Sequence, residues 1–83
     1  MKVLKWAVPV DDEFHPIGWG PVARVAASSI GLVHVWTIEA DAVDAPDRPA
    51  RVYGTGHMVP DDMQHLGSAG VDIFVWHVFG SPS

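Results

Sequence analysis

The side chains best suited to chemistry in this sequence are its histidines and carboxylates, and several gather in the second half of the chain. His57, Asp61, His65 and His77 offer imidazole and carboxylate groups, the ordinary donors for zinc or manganese. Spacing alone does not assemble them. His57 and His65 are eight positions apart across a turn, and His77 falls in an apolar strand pattern, where an imidazole bonded to a carbonyl is commoner than a metal ligand. No metal or cofactor is assigned, and these four residues are kept only as candidate ligands. Zinc hydrolysis would further require an open coordination position and a base.

The stretch "GTGHMVPDD", residues 54–62, raises a second chemistry. A loop that cradles phosphate needs a strand before it, a helix N-terminus after it, and N–H groups that converge on the anion. "ARVYG" supplies the strand, and "PDDMQHL" starts as a first helical turn does, with a proline and two acids. Against phosphate stand the lack of a lysine, a spacing short of either nucleotide fingerprint, and the repulsion from Asp61 and Asp62. Gly54, Thr55, Gly56 and His57 are therefore ligand-loop candidates with a competing structural account. In that account the glycines take positive φ at a corner and Thr55 bonds back to the chain.

Nucleophilic catalysis has less support. Ser28, Ser29, Ser68, Ser81 and Ser83 read as turn or tail residues, none of them in a strained strand-to-helix elbow, and the chain has no cysteine. The carboxylate pairs at 11–12 and 61–62 are adjacent loop residues, more often solvated charges than an acid and a base. The sequence leans away from an enzyme.

The elements that would hold these residues are strands. Leu4, Trp6, Val8 and Val10 alternate with Lys5 and other residues as in a half-buried strand, and Pro9 marks an edge or an end. "DDEFHPIGWGP" reads as a loop anchored by Phe14, Ile17 and Trp19. "VARVAAS" and "LVHVWTIEA" fit a hairpin turned at "SIG". The segment "DAVDAPDRP" reads as an exposed loop. The residues near 60–66 allow a helix of one or two turns, and "VDIFVWHVFG" closes the chain as its most apolar strand. The expected fold is a single all-β domain over 1–83, a small sandwich or open barrel of five to six short, mostly antiparallel strands.

With 83 residues, such a domain buries roughly 60–65% of its unfolded surface, and its core is thin. Disulfides are closed to it, which leaves self-association or a histidine-bound metal as reinforcement. Ten acids against five scattered bases give a net charge of −5, so direct nucleic-acid binding is not expected. No apolar run of about 18 residues is present to span a membrane as a helix. The opening lysines are followed too soon by Asp11, Asp12 and Glu13 to suggest a targeting segment. In the last strand residues 71, 73, 75, 77 and 79 alternate with 72, 74, 76 and 78, and both sets are largely apolar. Residues 32–38 behave similarly. Trp36, Phe74, Trp76 and Phe79 are accordingly interface candidates, with a homo-oligomer, a dimer by preference, as the expected assembly. The competing account covers the second faces with the chain's own loops, through Phe14, Trp19 and Met63.

The acidic "DAPDRPARV", the following "YGTGHMVPDD" and the terminal "VWHVFG" together resemble a family of small proteins of unknown function encoded by bacteriophages and prophages, especially of actinobacterial hosts. The resemblance covers most of the chain. Its most specific pieces are Gly54, Thr55, Gly56, His57, Pro60 and the run Trp76, His77, Val78 and Phe79, whereas residues 11–21 depart from the pattern. It implies a phage or prophage origin and work in the host bacterial cytoplasm or in the virion, and it implies no activity. The expectation is a non-catalytic protein that binds itself or a host protein. The alternatives are a protein that sequesters a nucleotide or other small ligand against host defence, a capsid decoration protein and a metal-dependent hydrolase.

Overall fold

The computed structural model describes residues 1–29, 31–40 and 48–81. Seven strands occur among them: β1 (Lys2–Pro9), β2 (His15–Ile17), β3 (Val22–Ser29), β4 (Leu32–Glu39), β5 (Arg48–Gly54), β6 (Gln64–Val71) and β7 (Phe74–Gly80). They form two antiparallel sheets, one ordered β1-β4-β3 and the other β2-β5-β7-β6. The all-β expectation holds, with seven strands in place of five or six, and the two sheets do not close into a barrel.

Alternation decides which face each strand buries. On β4, Val33, Val35 and Thr37 point inwards and are fully buried, while Leu32, His34, Trp36 and Ile38 face outwards and are half-buried. Register carries the pattern across the sheet, since Val8 pairs with Val33 and Trp6 with Val35, and β3 sets Val25 and Ala27 against the same two valines. From the other sheet Ile17, Ala50, Val52 and Val78 meet this layer to complete the core. Nearly all of it is β-branched or small, which suits a pleated surface. Where β3 lies over β6, Gly67 lets the sheets touch: a Cβ there would run into the Val25 side chain.

One end of the sandwich is polar. Residues 18–20, Gly-Trp-Gly, cross over Thr37 and Glu39, and a Cβ at Gly18 would come within 2.9 Å of the Thr37 hydroxyl. Glu39 accepts a bond from the Gly20 amide at 2.7 Å. From β5 the Arg48 Nε donates to the Gly18 carbonyl at 3.2 Å. Only 5% of Arg48 is exposed; burial lowers its pKa, and the nearby Glu39 carboxylate offsets part of that. Trp6 Nε1 donates to Thr37 Oγ1 at 2.8 Å. Arg48 thus opens a strand and anchors a loop, where the sequence suggested the tail of an exposed loop. The rest of that expected loop, residues 41–47, lies outside the described residues, as do Ile30, Pro82 and Ser83.

Three further observations bear on the site. No helix occurs near 60–66 among the described residues: Met63 N donates to Pro60 O at 3.2 Å, which closes one turn, and β6 follows at Gln64. The apolar run from Val71 is not one strand but the end of a hairpin, with Val71 paired to Phe74 across the loop residues Asp72 and Ile73. Asp72 takes φ 53°, the positive value that a two-residue hairpin loop of the primed type requires at its first position. Phe14 does not serve as a buried anchor and is 50% exposed, whereas Ile17 is fully buried and Trp19 half-buried.

Candidate functional site

The corner after β5 is a tight turn, closed by a bond from His57 N to Gly54 O at 3.1 Å. Gly56 sits at its third position with φ 89°, the place a type II turn gives to glycine. The expected positive φ is therefore found at Gly56, and Gly54 belongs to the strand. His57 folds back against that strand: a Cβ on Gly54 would lie 3.3 Å from its Cε1 and 3.4 Å from Trp76 Cζ3. Gly54, Thr55 and His57 form one wall of a cleft of about 500 Å³ whose other wall is Ile73–Trp76. Two of the four interface candidates thus share a cleft with the loop candidates.

The hairpin end beside this cleft is apolar and open to water. Ile73 is 90% exposed, and Phe74 and Val75 are exposed as well. Phe74 and Trp76 stack with ring centres 5.6 Å apart and planes 1° from parallel. Trp76 turns inwards and packs on the core, so it is less available than Phe74. Its indole nitrogen is buried without a partner. Met58, just past the corner, is 92% exposed.

On the outer face of the four-stranded sheet, register brings together side chains far apart in sequence. Ser68 is opposite His77, and His65 is opposite Phe79. The Ser68 hydroxyl lies 2.7 Å from His77 Nδ1 and 2.9 Å from His65 Nε2. The other nitrogen of His77, Nε2, is 2.9 Å from Thr55 Oγ1. One continuous chain of hydrogen bonds therefore runs His65, Ser68, His77, Thr55, and it ends on the corner turn. Beside it Phe79 is clamped edge-on by Tyr53 at 5.6 Å and flanked by His65 at 5.1 Å. Arg51 lies over the Tyr53 ring at 4.7 Å. This ring cluster hides all but 3% of Tyr53, so the second apolar face of β7 is covered in part by the chain itself.

Trp36 is on the outer face of the other sheet, half-buried under Arg24 at 5.3 Å. The four candidate metal ligands do not assemble as one set. His65 and His77 are joined through Ser68, His57 packs beside Gly54 and Trp76, and Asp61 is an exposed turn residue. Among the described residues, three ionisable donors fall within 4.8 Å of one another at Asp11, Glu13 and His15, where His15 Nε2 bonds Asp11 at 2.8 Å. That bond, ahead of smaller contributions from the Glu13 amide, holds the Asp11 carboxyl below its ordinary range. Ser68, which reads from the sequence as a turn residue, is instead a strand residue between two imidazoles, and Ser28 and Ser29 also belong to a strand. Only the β6–β7 register reveals it.

The whole chain, residues 1–83, matches the family described as a domain of unknown function, DUF7352, and the protein belongs to that family. No curated protein and no solved structure matches it.

Proposed function

We propose that the protein works by binding, without catalysis of its own, and that its first partner is a second copy of itself, met through the free end of the β6–β7 hairpin. The observation that carries this reading is the exposure of Ile73, Phe74 and Val75 together, with Met58, just past the corner turn, exposed as well. Burying each such side chain gains about 1.5–3 kcal/mol. Apart from histidine, Asp72 is the one ionisable residue between 71 and 80, so two copies can bring these ends together without pressing rows of acids against each other, although the chain carries −5. A surface that meets itself closes as a dimer. The resemblance to phage and prophage proteins is compatible with action in the host bacterial cytoplasm, where a host protein would be a further partner, and equally with a place in the virion.

Catalysis is the weaker reading because Ser68 stands on an open sheet face rather than in the cleft. A second reading has its own support in the cleft itself, whose volume suits a small molecule and whose stacked Phe74 and Trp76 suit a planar one, such as a nucleotide. It would show as a rise in melting temperature with nucleotide concentration. The primary reading is tested by light scattering at micromolar concentration. Wild-type protein should have twice the 9.0 kDa chain mass, and Ile73→Asp should halve it while leaving the far-ultraviolet circular dichroism unchanged. A monomeric wild type, or a dimer indifferent to Ile73→Asp, overturns it.

A further inference from the structure

The geometry points to a binding site for a divalent first-row transition metal between His65 and His77 on the outer face of the four-stranded sheet. Both imidazoles aim a ring nitrogen at one point, since His65 Nε2 and His77 Nδ1 lie 2.9 and 2.7 Å from the same Ser68 oxygen. With metal–nitrogen bonds of about 2.0–2.1 Å, two imidazoles on one ion hold their ring centres roughly 5 to 6.4 Å apart, from tetrahedral to linear. The centres of His65 and His77 are 6.3 Å apart. A tetrahedral ion therefore asks the rings to close by about 1 Å, which small side-chain rotations supply on an exposed face.

The second nitrogen of His77 is already engaged. When His77 Nε2–H donates to Thr55 Oγ1, at 2.9 Å, the Nδ1 lone pair is left facing the shared point. Such an outer partner is the usual companion of a metal-bound histidine, because it fixes both tautomer and ring orientation. His65 then shifts its Nε2 proton to Nδ1 and turns a second lone pair inwards, and the Ser68 hydroxyl, whose oxygen occupies the shared point without metal, rotates aside to give a neutral oxygen as third donor. Two imidazoles and a hydroxyl with no carboxylate select zinc, nickel or copper over magnesium or calcium, which take oxygen ligands. The remaining positions go to water.

The test is isothermal titration of the intact wild-type chain with zinc chloride and then nickel chloride, alongside nitrogen-15 spectra of the imidazole rings. One ion per chain is expected, reversed by a chelator, with the His65 and His77 ring nitrogens shifting and those of His34 and His57 staying in place. His65→Gln, an exposed change, should weaken binding tenfold or more. Thr55→Val should weaken it about 10- to 100-fold through His77 alone, and magnesium should give no signal. His15→Gln should change nothing. The inference is overturned by failure to saturate at millimolar metal, by binding that survives His65→Gln, or by binding lost in His15→Gln, which would place the ion at the 11–15 loop. The wild-type ring spectra decide the matter even if a variant fails to fold.

Discussion

Two glycines show how differently one residue type acts in this chain. Gly56 needs its positive φ of 89° but has open space around it, so Gly56→Ala should cost about 1 kcal/mol in urea unfolding, the strain of placing an L-residue there. At Gly20 the limit is contact: a Cβ would run into the Ile38 carbonyl and the Glu39 carboxylate and break the bond from the Gly20 amide. Gly20→Ala should therefore cost about 3 kcal/mol or more, and equal losses at the two sites would contradict this account. Asp11 gives a pH dependence of definite sign. Its bond to His15 lowers its folded pKa, so any stabilisation is present above the ordinary carboxylate range and is lost as pH falls through the lowered value. Carboxyl carbon shifts followed during acid titration should place the Asp11 midpoint below that of a free aspartate in the wild type and return it towards the ordinary range in His15→Asn. Being exposed, the pair should alter the titration more than the melting temperature.

At the scale of elements, strands with bulky alternation were legible in the sequence and strands without it were not. Both strands of the β3–β4 hairpin and the alternation of β1 stand out because Trp6, Val8, Val33 and Val35 repeat with period two over a buried layer. Nothing of that kind marks β6, whose "QHLGSAGV" holds small residues and whose strand character comes from pairing with β7. The proline and acids ahead of it, which favour a first helical turn, instead make one β-turn because no helical period follows. The corner at 54–57 was readable from its glycines, since positive φ is a local demand. Neither the Ser68 linkage nor the burial of Arg48 was readable, because both depend on which strand lies opposite. Gly67 carries the packing of β6 under β3, and Gly67→Ala should push Val25 aside at a cost of about 1–3 kcal/mol. Faster amide hydrogen exchange in β6 than in β1 would register this, and unchanged exchange would show that the two sheets have room to spare.

The whole molecule measures 40 × 26 × 17 Å across its Cα atoms, and the short dimension leaves space for one layer of side chains between sheets that pack about 10 Å apart. That layer is filled mainly by valines. The larger apolar side chains are therefore displaced to the periphery, where the chain covers them unevenly. Tyr53 and Phe79 shelter under Arg51 and His65, and Trp36 shelters under Arg24. Ile73, Phe74 and Val75 have no comparable cover, and this asymmetry is why the proposed self-association would use the hairpin end rather than the outer face of the three-stranded sheet. The most direct measurement is a dilution series of methyl spectra on the wild-type chain from sub-millimolar to low micromolar concentration. The Ile73, Val75 and Met58 methyls should shift with concentration, while Val33 and Val35 in the core, and Val3, Leu32 and Ile38 on the opposite sheet, hold still. Methyl positions independent of concentration in a protein of monomer mass, or shifts confined to Val3, Leu32 and Ile38, would contradict it.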